Sequence, residues 1–192
     1  MIITIARQCG CGALDVGRIL AKRYSIPLYT RSSLQEVART RGLLQQMEDF
    51  FEEKPVDELM SSITFSFERD GVQEKFCKAF RDVVGDEDCI VIGRCGNFIF
   101  RDRQDLVSVF LHGDGRLRIE HIVATEGLSL PEAEAFVRDT DERRASYHKF
   151  YTGLDWGHAP DYDICLDVCR LGAAKTAALI EEYHEAVKTL QR

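Results

Sequence analysis

The chain lacks any run of about 18 apolar residues, the length needed to span a bilayer. Its start, Met1-Ile2-Ile3-Thr4-Ile5, also lacks the basic segment and longer apolar stretch of a secretory leader. The expectation is a soluble, cytoplasmic protein with no membrane partner. Internal repeats, low-complexity tracts and Pro/Ser-rich linkers are missing too, so the 192 residues read as one domain, 45% apolar and able to bury a sizeable core. That apolar fraction excludes a disordered chain. Lysine is scarce: it supplies 7 of the 25 basic side chains, and arginine the other 18.

The net charge is −7, which disfavours non-specific duplex binding, so no nucleic-acid partner is expected. Arginine presents a planar fork that holds phosphate oxygens in pairs, and its excess in an acidic chain points to a small phosphorylated ligand. The plainer alternative places those arginines on the surface. The seven cysteines are an odd set, with Cys89 and Cys165 inside apolar strand-like runs; they read as reduced, buried small hydrophobes. Nothing in the sequence specifies an oligomeric state.

Ile2–Ile5 is an apolar, β-branched strand, followed by the turn-forming Gln8-Cys9-Gly10-Cys11-Gly12 and a helix over Ala13–Tyr24. Ile26–Tyr29 is a second short strand. From Ser33, where Ser33 and Glu36 form an S-x-x-E capping box, three helical stretches run to about Val84. Strand signals return at Cys89–Ile92, Leu106–Leu111 and Tyr162–Val168. Helices are expected at Arg116–Thr125, after Ser129 with its own capping box and early proline, and over Gly172–Leu190. Alternating strands and helices predict an α/β fold, a parallel sheet with helices on both faces, and residues 32–84 read as a helical insertion.

A strand running into a glycine turn and a helix is the arrangement of a phosphate-binding loop: backbone amides converge and the helix N-terminus adds partial positive charge. The full pattern G-x-x-x-x-G-K-[ST] is absent. Arg7 stands in the first glycine's place and Gly12 in the second's, with Ala13 for the lysine and Leu14 for the Mg²⁺-binding hydroxyl. A shifted frame, Gly12 to Gly17 with Arg18 for the lysine, is disfavoured because it puts Leu14 and Val16 in the loop. Cys9 and Cys11 with Cys165 and Cys169 offer a separate zinc or redox reading, although C-x-C and C-x-x-x-C are weak ligand spacings.

Several phrases together resemble the cytidylate kinase-like family of P-loop kinases: Ala6-Arg7-Gln8-Cys9-Gly10-Cys11-Gly12, Ile26-Pro27-Leu28-Tyr29, Val91-Ile92-Gly93-Arg94-Cys95, Val109-Phe110-Leu111-His112 and, most specifically, the stretch from Arg144-Ala145-Ser146-Tyr147 to Asp155-Trp156-Gly157. The resemblance runs from residue 2 to about 172. It implies a P-loop kinase-like three-layer fold with a five-stranded parallel sheet, a nucleoside-monophosphate-binding insertion at 32–84 and a lid region at 139–157. It further implies ATP, Mg²⁺ held through the nucleotide phosphates with no metal site of the chain's own, and transfer to a CMP-like acceptor.

Under that resemblance the phosphate-binding candidates are Arg7, Cys9, Gly10, Cys11, Gly12, Ala13, Leu14 and Arg18. Arg31 and Arg94 hold the acceptor, Arg144 and Arg143 neutralise the transferring group, and Asp141, three residues before Arg144, orients it. Two departures stand out. The family loop usually reads S-R-E-F-G-S-G-G-R-E, and where it has Gly-Arg-Glu this chain has Ala13-Leu14-Asp15; Tyr29-Thr30-Arg31 replaces a common Tyr-Asp-Lys or Tyr-Asp-Arg. Arg7, Arg18 and Arg31 are the candidates to replace the lost cation. The rival reading is a catalytically degenerate kinase fold that binds a nucleotide or phosphorylated metabolite as a sensor or interaction module.

Overall fold

A computed structural model describes residues 1–44, 51 and 69–190. Five strands, β1 (Ile2–Arg7), β2 (Leu28–Tyr29), β3 (Cys89–Ile92), β4 (Leu106–His112) and β5 (Ile164–Asp167), form one sheet in the order β2-β3-β1-β4-β5. Every pairing is parallel. β1 is central, which is why Ile2, Ile3 and Ile5 are fully buried in consecutive and alternate positions. Its side chains alternate between the two faces. Ile2 joins Val91, Leu34, Phe80 and Phe100 on one face, while Ile3 and Ile5 join Ile90, Val109, Val16, Leu20 and Ile180 on the other.

The second face is covered by α1 (Ala13–Tyr24) and by the last helix, α7 (Val168–Leu190). The first is covered by α2 (Arg31–Thr40), α3 (Arg69–Val84), the short α4 (Gly96–Ile99) and Tyr147 of α6 (Leu130–Thr152). Between β4 and α6 lies α5 (Gly115–Glu126), which packs on α6 through Ile122, Ala133 and Val137, with Cys9 between them. The predicted fold class and every predicted strand are present. Within the 32–84 insertion, α2, Phe51 and α3 are described; Phe51 is buried against Phe80 and Phe100's cluster, and the middle helical stretch lies outside the described residues. Among the described residues no helix is long and apolar enough to cross a membrane.

Several boundaries differ from the sequence reading: β1 runs on to Arg7, so Arg7 ends the strand and does not open the loop, and β5 is shorter than Tyr162–Val168. α2 starts at Arg31, not after Ser33: Thr30 is the N-cap, its backbone N–H donating to Ser33 Oγ at 2.7 Å, while Glu36 pairs with Arg39 one turn on. α7 starts four residues before Gly172, which breaks it with φ 73° and ψ 160°. The region 139–157 comprises the second half of the 23-residue α6 and the turn that follows, where Gly157 (φ +77°) lies against the Phe110 ring and Trp156 meets that ring edge-on. The shifted phosphate-loop frame fails outright. Gly17 is inside α1, and a Cβ there would come within 2.9 Å of Ile92 and of Leu28.

His148, on the buried side of α6, is 3% exposed and its Nε2 has no partner among the described residues. Burial pushes its pKa down from 6.5 to about 4. The folded state therefore refuses a proton that the unfolded chain accepts, so stability present above pH 6.5 is lost as pH falls toward 4. The expected loss is up to about 3 kcal/mol. Urea unfolding of the wild type and His148→Phe at several pH values checks it: the variant's stability should fall less over this window, and parallel profiles would contradict the assignment.

Candidate active site at the glycine loop

The C-terminal edge of a parallel sheet is where strand-to-helix turns gather, and β1, β3 and β4 bring three of them together here. The first is Gln8–Gly12. Gln8 N donates back to Leu111 O at 2.9 Å, and Cys9 N donates to Asp141 Oδ1 at 2.6 Å. The next five amides, Gly10 to Leu14, donate to no acceptor among the described residues; the helix ladder resumes with Asp15 N on Gly12 O at 3.0 Å. Up to four orphan amides are ordinary for a helix start, and Gly12, Ala13 and Leu14 are of that kind; Gly10 and Cys11 extend the run into the turn. The run of five leads into a helix start whose N-cap Gly12 has no side-chain cap. Thr30 and Asp114 cap α2 and α5 with side-chain oxygens.

The turn needs its glycines for different reasons. Gly10 has φ +79°, and a Cβ there would lie 2.4 Å from the Arg118 carbonyl oxygen. Gly12 has φ +58° with open space around it. Ala13 is buried and Leu14 is 38% exposed, so the places of the lysine and hydroxyl carry no charge or polar side chain. Cys9 and Cys11 are both buried. Burial pushes the Cys11 thiol up to about 12, with Cys169 beside it as the next cause. Cys9 instead packs between α5 and α6 and Cys165 lies on β5, so the four cysteines do not converge as a zinc site would require.

The second turn is Gly93-Arg94-Cys95, three successive residues with left-handed backbone at φ 75°, 57° and 55°. For Arg94 this costs about 1–2 kcal/mol relative to an ordinary conformation. Arg94 is only 6% exposed, and its guanidinium lies over the Tyr147 ring at 5.7 Å. Burial holds the Tyr147 hydroxyl well above the usual phenol range, with Arg94 pulling it back. Gly93 leaves the room that the Arg7 guanidinium takes: a Cβ there would lie 2.2 Å from Arg7 Nη1. From α6, Arg144 Nη1 donates to Arg7 O at 3.3 Å, and its Nε is buried without a partner among the described residues.

Arg7, Arg94 and Arg144 therefore come together around the loop and the Gly93 turn. Three predicted arginines stay away. Arg143 is exposed and bonds Thr140, one turn back on its own helix. Arg18 is exposed and pairs with Asp15, and Arg31 is exposed at the start of α2. The arginine excess is in good part a surface matter, since Arg39, Arg103, Arg116 and Arg138 pair with acidic neighbours there. Asp141 sits 3.9 Å from Arg144 as its spacing suggested, but its shorter bonds go to Cys9 N and to Arg118. Sequence reading passed over Arg118, because nothing in the pattern of α5 separates it from exposed Arg116.

The loop predicts an asymmetry between its two glycines. Gly10→Ala is expected to lower the melting temperature by at least about 2 °C, through the clash with Arg118 and the left-handed backbone, and to weaken tripolyphosphate binding. Gly12→Asn, a residue that tolerates this backbone, is expected to change the melting temperature by less than about 1 °C. Thermal unfolding and calorimetry compare the two; equal effects would contradict the packing described.

The cytidylate kinase-like family matches residues 2–170 of this chain. Cytidylate kinase of Methanopyrus kandleri is 24% identical over 191 residues, covering 94% of this chain and 91% of its own. A crystal structure of a protein from Eubacterium ventriosum superposes with a TM-score of 0.73 at 26% identity, covering 96% of this chain and 98% of that one. A gluconokinase from Sinorhizobium meliloti shares the fold, with a TM-score of 0.59 at 14% identity over 99% and 97% of the two chains.

Proposed function

The chain belongs to the cytidylate kinase-like family, and from that premise we propose that it transfers the γ-phosphoryl group of ATP to a nucleoside monophosphate, with CMP the first acceptor to test. The observation that carries the reading is the run of five amides from Gly10 to Leu14 with no acceptor among the described residues, beside Arg7, Arg94 and Arg144. A collapsed loop would have bonded those amides internally. An open row of N–H donors at a helix start fits a polyphosphate.

In this reading the amides of Gly10, Cys11, Gly12 and Ala13 hold the donor phosphates. Arg94, fixed at the end of β3, holds the acceptor phosphate. An acceptor oxygen forms the new P–O bond as the bond to the ADP oxygen breaks, and negative charge spreads over the three remaining phosphoryl oxygens. Arg144, whose buried Nε has no partner among the described residues, neutralises that charge in this reading. Mg²⁺, if it arrives with the nucleotide, would supply further neutralisation of the phosphate charge; Leu14, in the hydroxyl's place, offers it no side-chain oxygen, so its ligands would come from the nucleotide.

One observation favours the second reading, a degenerate fold that binds without turning over: the apolar Ala13-Leu14 pair where a lysine and hydroxyl are expected. Each missing group is worth about 10²–10³ in rate. Calorimetric titration with ATP and CMP, followed by a turnover assay with Mg²⁺, separates the two. Binding with turnover is the expected result; binding without turnover would support the sensor reading, and no binding would sink both. With turnover in hand, Arg144→Met should lower kcat by about 10³-fold or more. Arg143→Met should cost at least about tenfold less, since its side chain faces solvent and Thr140.

A further inference from the structure

Arg118, on the second turn of α5, joins three segments that are remote in sequence. Its Nη1 donates to Cys9 O at 3.0 Å and to Asp141 Oδ2 at 2.6 Å, and its Nε donates to Gly113 O at 3.2 Å. Its own carbonyl is the surface on which Gly10 rests. Arg118 and Asp141 are 12% and 18% exposed, so the pair is largely out of water. The other Asp141 oxygen takes the Cys9 N–H at 2.6 Å. Both oxygens of the carboxylate are thus committed, and Arg144, 3.9 Å away, stands beyond hydrogen-bond distance of it.

We propose that Arg118 is a positioning residue that keeps Arg144 available for the phosphoryl group by holding the Asp141 carboxylate, and that fixes the glycine loop with the same guanidinium. The inference rests on the kinase reading above. Its physical basis is competition: a half-buried carboxylate seeks the nearest cation. With Arg118 present, that cation is Arg118. Without it, the nearest is Arg144, one turn along the same helix, and a bond there turns Arg144 away from the phosphates. The arrangement also explains why an acidic residue can sit beside a charge-neutralising arginine without cancelling it.

A double-substitution experiment tests this. Arg118→Met is expected to lower kcat about 10²-fold, the scale of an ångström-level misplacement of a catalytic group, with KM for CMP within about threefold because Arg94 is untouched. Adding Asp141→Asn removes the charge that captures Arg144 while keeping an acceptor for Cys9 N–H, so the double variant should recover at least about tenfold of the lost kcat. Simple loss of loop support predicts the opposite, a double variant as slow as the single one or slower. Arg118→Lys keeps a cation beside Asp141 and should lose less than about tenfold; it decides the matter where Arg118→Met does not fold, and a loss of about 10²-fold would then overturn the proposal. An Arg118→Met kcat near that of the wild type, or no recovery in the double variant, would also overturn it. Absence of turnover in the wild type fails the kinase reading instead. In that case the ATP dissociation constant is the readout, expected to weaken about tenfold in Arg118→Met and to recover in the double variant, and unchanged values would refute the proposal.

Discussion

A backbone N–H that loses its water on folding needs an acceptor, and a helix start offers several such groups at once. At α1 the usual remedy, a side-chain cap, is absent: Gly12 stands at the N-cap, and the donors from Gly10 to Leu14 have no acceptor among the described residues. Everything near the loop serves to keep that surface open and rigid. Gly10 rests on the backbone of α5, Cys9 is held on both sides, its N–H by Asp141 and its carbonyl by Arg118, and Gln8 is bonded to β4. The loop is thus fixed by its flanks.

The sheet order explains why the cationic groups can reach it. With β1 between β3 and β4, the glycine loop emerges beside the Gly93-Arg94 turn on one side and the His112–Gly115 turn on the other. The first brings Arg94 and the second brings α5 with Arg118. α6 lies across both, carrying Asp141, Arg144 and Tyr147 within two turns. A −7 chain can gather positive charge locally in this way without a basic surface: the Arg7 guanidinium lies against Gly93, Arg94 follows Gly93 with its guanidinium over Tyr147, and Arg144 donates to Arg7 O.

What could be read from the sequence was what depends on near neighbours. α1 was legible residue for residue because glycines mark its start and its apolar spacing is regular; the central strands were legible because burial on both faces makes them continuously apolar. The start of α2 was misplaced because Thr30, Ser32 and Ser33 are all competent caps, and only the fold decides that Thr30 takes the role. Arg94 could be read from its place after an apolar strand. Resemblance alone prefers Arg144 to Arg143, since a step of one residue turns a helical side chain by about 100° and only packing sets Arg144 on Arg7 O and Arg143 on Thr140. Arg118 was invisible, its partners being 23 and 109 residues away.

The claim on which the rest depends is that Gly10–Leu14 is an open anion cradle, and amide NMR tests it residue by residue. On titration with ATP, the five amide resonances from Gly10 to Leu14 should shift together and become protected from hydrogen exchange, while Gln8 and Cys9, already bonded to Leu111 and Asp141, change least. Saturating ATP that leaves those five amides unshifted and freely exchanging would contradict the account.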